Sequence, residues 1–270
     1  MVTGYELGQS PERALATVRD LAEASPSPAV RTQLGWFEAA WYGAQGRHAE
    51  AQVKAAETYE LYRRTRRWSA DVIYLGSLAL VRVDTGQLGD LTDAADAVAH
   101  STYSVSVAEA SAWALTEFGR KAEARAFAGP MGSVPNVPDD WLWLSTMVAA
   151  ALVRADLADE VAARVLYRRL LPHAGCVGIA GSLPLLGSVD LALARLAVLL
   201  GDRTAARNHA AAAVRIEERL GALAWLARAL VTAADVATDR QEASALRARA
   251  AGIASDLGLV PVLQRLEHTG

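Results

Sequence analysis

The chain has 270 residues, of which 52% are hydrophobic, 6% aromatic and 57 alanine, a balance that suits close helix packing and excludes sheets built from β-branched and aromatic side chains. A net charge of -3 and a pI near 6.0 leave no global basic field for nucleic-acid phosphate or an anionic membrane surface, so neither is an expected partner. Cys176 is the only cysteine, the longest apolar stretches, such as Leu191 to Leu200, are too short to span a bilayer, and Met1 to Glu6 lack the basic and apolar run of a signal peptide; together these predict a cytoplasmic location.

Helix signals begin at once. Ser10-Pro11 and Ser27-Pro28 place proline at a first helical position after a capping serine, and Asp139-Asp140 precede a helix that starts near Trp141. Apolar residues recurring at three and four residue spacing predict helices over about 11–24, 28–45, 47–65, 68–85, 88–100, 103–118, 120–128, 139–154, 158–172, 187–200, 203–220, 222–237, 240–257 and 259–267. Between them a break recurs: Gly46-Arg47 with Ala51, Gly119-Arg120 with Ala124, and Gly201-Asp202 with Ala206. Looser copies at Gly8, Gly86, Ala155 and Thr238 give a spacing of 33 to 46 residues, the period of helix pairs that bury their apolar faces only against neighbouring pairs. The fold class expected is all-α, a right-handed α-solenoid of antiparallel helix pairs over 1–270. Only seven residues precede Gly8, so the chain reads as starting within a repeat of a larger protein or with an atypical terminal repeat.

Two segments interrupt the rhythm. Residues 129–138 carry three prolines and cannot continue a helix, which suggests a division into repeats 1–128 and 139–270. Residues 172–188 are long, glycine-rich and apolar, either a buried connector or a loop that touches a ligand.

The stretch Gly201 to His209, and above all Leu220-Gly221-Ala222 with Trp225, Ala227 and Arg228, resembles the tetratricopeptide-like C-terminal region of actinobacterial ATPase-containing LuxR-type and antibiotic-regulatory transcriptional regulators. Ala254 to Leu259 looks like the last helix pair of that region, so the resemblance covers about 139–268. The family's phosphate-binding loop is missing from this chain, and only four residues follow Leu266, too few for a helix-turn-helix. The resemblance implies an effector-sensing or partner-binding arm that receives a protein, a peptide or a small-molecule effector.

In such repeats the first helix of each pair lines an inner groove, at positions thirteen, ten, six and three residues before the break. Applied here, the offsets select Trp36, Glu109, Trp113, Arg195, Trp225, Arg228 and Asp235 as a concave, ligand- or partner-binding face. Three tryptophans and two arginines there suit a peptide or an acidic small molecule, although large aromatics in helical arrays also serve as packing. Arg63 to Trp68 is the one dense basic run, read as a helix end whose cations complement the dipole rather than as nucleic-acid contact. Catalytic and metal-binding patterns are not found: the histidines are scattered, Asp93 and Asp96 read as a solvated helix face, Gly181-Ser182 lacks a hydrolase elbow, and Cys176 beside His173 has no third orienting group. No cofactor is expected. The leading expectation is a non-catalytic binding module of a transcriptional regulator; the alternatives are a scaffold for protein assembly or self-association, and an enzyme with a pocket near 172–188.

Overall fold

In the computed structural model, residues 12–25, 27–64, 70–87, 104–137, 139–179 and 186–268 are described. They form thirteen α-helices: α1 (Glu12–Ala24), α2 (Pro28–Ala44), α3 (His48–Arg63), α4 (Ala70–Asp84), α5 (Ser104–Glu117), α6 (Lys121–Ala128), α7 (Trp143–Asp156), α8 (Glu160–Leu170), α9 (Val189–Leu199), α10 (Arg203–Leu220), α11 (Leu223–Val236), α12 (Arg240–Leu257) and α13 (Val260–His268). A short 3-10 turn, Leu171–His173, follows α8, and the described residues contain no strand, only an isolated bridge between Val177 and Ser188. The chain is all-α, as composition predicts. No described helix is long and apolar enough to cross a membrane. Ser10, Pro11, Gly8, Asp93, Asp96, His100, Gly181 and Ser182, the helix expected over 88–100, and most of the basic run lie outside the described residues.

The helices sort into two kinds. Those of the inner set, α2, α4, α5, α7, α9, α11 and α13, touch one another in chain order, while each of α3, α6, α8, α10 and α12 packs on the inner helix before it and α1 packs on α2. These five outer helices, α3, α6, α8, α10 and α12, also pack on the inner helix that follows. The sequence explains the difference. Val189 to Ala197 of α9 and Ala224 to Thr232 of α11 are buried without interruption, because apolar residues fall on several faces of these helices and the charged ones among them, Asp190, Arg195 and Arg228, are paired. The outer helices carry an apolar stripe made largely of alanine: Ala51 and Ala55 on α3, Ala124 and Ala128 on α6, Ala206, Ala210 and Ala213 on α10, Ala250 and Ala254 on α12, all buried. Small residues let the backbones approach closely, so alanine at the fifth position after each break is a packing requirement. The break itself is a backbone reversal, with Gly46, Gly119 and Gly201 at φ of +77°, +69° and +77°.

Register and capping depart from the sequence reading in particular places. The break between α7 and α8 is at Ala158, not Ala155: Ala158 is the one non-glycine residue with positive φ, +57°, among those described, and the buried Ala163 lies five residues on. Asp159, Asp202 and Asp239 cap α8, α10 and α12, each accepting a bond from the backbone N–H three residues later. Ser27 does occupy the N-cap of α2 with Pro28 after it, but its hydroxyl makes no cap bond. α7 starts at Trp143 rather than Trp141, because the Asp140 carboxylate accepts from Leu142 N at 2.9 Å and holds a separate turn there.

The segment after α6 is tied down by Asp159, whose Oδ2 accepts from Gly132 N at 2.7 Å. One apolar cluster runs from Leu15 to Ala229 and includes residues on both sides of 129–138. The C-terminal helices also reach the N-terminal ones: α11 packs on α2 and α13 on α4. A β-carbon on Gly46 would lie 2.5 Å from the Leu257 side chain, so the α2–α3 turn closes directly on the end of α12.

Candidate functional site between the inner helices

The contact of C-terminal on N-terminal helices is held by one guanidinium. Arg228, on α11, donates from Nη2 to Asp84 Oδ1 at 2.8 Å, from Nε to Glu117 Oε2 at 2.7 Å, and from Nη1 to its own helix at Ala224 O, 3.0 Å. It lies 5.0 Å from the Trp225 ring centre and 5.7 Å from that of Trp113, and the two indoles stack at 5.4 Å. Burial works against the Arg228 charge, yet Glu117 and Asp84 outweigh it and raise its pKa. Burial likewise raises the Glu117 carboxyl, but the fields of Arg228, Arg195 and Arg265 prevail and hold it below its usual range. Asp84 has a second partner, His48 Nε2 at 3.3 Å.

A narrow cleft adjoins this cluster. It is bounded by Glu117, Arg195, Arg228 and Arg265, with Leu191, Trp225, Val231, Thr232, Pro261 and Val262 as its less polar walls. About 20 Å³ is open to the centres of water-sized bodies, room for one or two waters. Arg195 pairs with Asp156 Oδ1, and Arg265 Nη2 lies 3.9 Å from the same oxygen. Asp156 Oδ2 is buried and accepts no hydrogen bond. The Arg265 pKa is lowered, first by repulsion from Arg195 and then by burial, against the pull of Asp156, Glu117 and Asp235.

Of the seven residues selected by offset, four meet here: Trp113, Trp225, Arg228 and Arg195. Their burial differs from the expected open groove, since Trp113 is 2% exposed, Trp225 0% and Arg228 8%. The physical reason is that the inner helices pack on each other across the space a groove would occupy. The other three lie apart. Glu109 forms a two-pronged pair with Arg154, at 2.7 and 2.9 Å, and burial pushes its carboxyl above the usual range despite that partner. Trp36 is buried in its own small cluster, edge-on to Tyr62. Asp235 is on the outside, paired with Arg247 at 3.2 Å, while Arg228 is turned to Asp84 and Glu117.

Sequence reasoning missed Asp84, Glu117, Asp156 and Arg265. A signal for three of them exists: each acid stands two residues before a break, at Gly86, Gly119 and Ala158. A carboxylate there sits at the negative end of its helix dipole, which is unfavourable unless a cation comes from elsewhere.

The other sequence candidates are placed as follows. Arg63 is exposed and pairs with Glu60 at 2.8 Å. Cys176 and His173 meet through backbone, Cys176 N donating to His173 O, while the His173 ring meets Trp143 at a tilt of 53°. A second, partly buried polar group joins α8, α9 and α10: His209 contacts Asp190 Oδ1 through Nδ1 at 2.8 Å and Tyr167 Oη through Nε2 at 3.2 Å. Beside it Glu217, fully buried, accepts from Ser188 N at 2.7 Å. Among the described residues no group of three or more histidine, cysteine or acidic side chains is arranged to hold a metal ion. Comparisons with protein-family models, with curated proteins and with solved structures gave no match.

Proposed function

We propose that the chain is a helical-repeat binding module, a right-handed tetratricopeptide-like superhelix that serves as the effector-sensing arm of a transcriptional regulator, with the cleft between α9, α11 and α13 as its ligand site. The observation that carries this reading is the convergence of Arg195, Arg228 and Arg265 with Trp225 in one recess. Clefts with apolar walls and a few converging polar groups are where small ligands are held. Three arginines from separate helices, two of them buried, are expensive to gather in one recess for packing alone. The likeness of Leu220 to Arg228 to regulator C-terminal regions supports the assignment to a regulator.

In this reading a ligand displaces the one or two waters that fit and contacts α13, whose Pro261, Val262 and Arg265 form one wall. The test is a thermal-shift screen of small metabolites against the wild type and Thr232→Met, which grows a longer side chain into the cleft. A stabilising metabolite should lose its effect in the variant and quench Trp225 fluorescence. A ligand that binds the variant as well as the wild type would place the site elsewhere and refute the reading.

A further inference from the structure

We infer that Glu217 is a proton-operated latch on the segment that enters α9, a device independent of whether the cleft holds a ligand. Protonated, Glu217 keeps residues 175–179 and 186–188 closed over α10; ionised, it takes water to its carboxylate and opens that junction. Glu217 reaches from α10 to the start of α9, where Oε1 accepts from Ser188 N, and the Ser188 hydroxyl in turn caps α9 at Leu191 N. Oε2 is buried with no hydrogen-bond partner, so the carboxyl is only half satisfied.

The charged groups around it offer no compensation. On α9, Asp190 is a second carboxylate, and His209, eight residues earlier on α10, is bonded to Asp190 and to Tyr167 of α8. Arg228 of α11 is bonded to Asp84, Glu117 and Ala224 O, and Arg249 of α12 pairs with the exposed Glu218. Arg215 and Arg219 of α10 itself are exposed. A charge on Glu217 is therefore relieved by water at Oε2, and the least secured wall yields first. α9 and α11 flank α10 with unbroken buried runs. Residues 175–179 and 186–188 are held instead by separate bonds: Gly178 N to Gly187 O at 2.8 Å, Leu186 N to Gly178 O at 2.7 Å, Val189 N to Cys176 O at 3.0 Å and Gly175 N to Asp190 Oδ2 at 2.6 Å. Opening there also moves Gly187, where a β-carbon would lie 2.6 Å from the Trp225 ring, so the state of Glu217 reaches a wall residue of the cleft.

The experiment is amide exchange of the full chain at pH 6, 8 and 9, read by mass spectrometry and corrected for the intrinsic rate at each pH. Closed, Glu217 ionises at about 7; exposed to water in the open form, it returns to 4.5. The open fraction over 175–179 and 186–188 should therefore rise about tenfold between pH 6 and 8 and change little between 8 and 9. Glu217→Gln, neutral throughout, should abolish the rise, and Glu218→Gln, at the exposed neighbour, should retain it. α12 should show no such rise. A flat response in the wild type, a rise that Glu217→Gln retains, or a rise shared equally by α12 overturns the inference. The first and third outcomes are read from the wild type alone, so the test survives a variant that fails to fold.

Discussion

Replacing Glu217 by glutamine should make the protein's stability less sensitive to pH. Glu217 lies on α10 with 0% exposure; Oε1 accepts from Ser188 N, and Oε2 is buried without a partner. Burial raises its pKa from 4.5 to about 7, the Asp190 charge adds to the rise, and the bonds from Ser188 oppose it. The unfolded chain releases this proton near pH 4.5 and the folded chain only near 7. The favourable contribution of the neutral group is therefore complete below pH 4.5, is lost progressively as pH rises, and is gone above about 7. A difference of about 2.5 pKa units at 1.36 kcal/mol each amounts to about 3 kcal/mol. Glutamine keeps the acceptor for Ser188 N and carries no charge, but puts a donor where Oε2 had no partner, at a pH-independent cost of about 1–3 kcal/mol. The diagnostic is the change between conditions. The Tm of Glu217→Gln relative to wild type should be higher at pH 8.5 than at pH 4.5 by roughly 6–12 °C, at about 2–4 °C per kcal/mol. Calorimetry or urea unfolding at the two pH values measures it. A Tm difference that is the same at both would show that Glu217 is not the buried neutral acid described above.

The remaining predictions concern the backbone and the closing contact. Arg228→Met should destabilise by about 3–5 kcal/mol in urea titration, because it strands the buried Asp84 and Glu117; adding Asp84→Asn and Glu117→Gln should recover much of that, and failure to recover would mean the loss is one of packing. Ala158→Gly should stabilise by about 0.5–1 kcal/mol, since glycine relieves the +57° φ at the exposed turn before α8. Gly46→Ala should destabilise by about 2–5 kcal/mol, through positive φ and the approach to Leu257, whereas Gly201→Ala, with nothing within 4 Å of its β-carbon, should cost only the backbone strain of about 1–2 kcal/mol. Equal losses at Gly46 and Gly201 would count against the contact between the α2–α3 turn and α12.

What the sequence determines by itself is local. The spans of α10 and α12 follow residue for residue from their caps, Asp202 with Gly221 and Asp239 with Gly258, because capping and the left-handed stop are set within a few residues. The break and its alanine were legible for the same reason, and the error at Ala155 arose where alanine, not glycine, takes the positive φ. The site is another matter. On α9 and α11 nine consecutive residues are buried, so periodicity does not single out a side, and the offset rule found Trp113, Trp225 and Arg228 without distinguishing an open groove from an interior. Their partners come from far along the chain, Asp84 at 144 residues from Arg228 and Glu117 at 111. Only the packing of α11 on α2 and of α13 on α4 brings those charges together, because an ion pair across such a separation exists through tertiary contact alone.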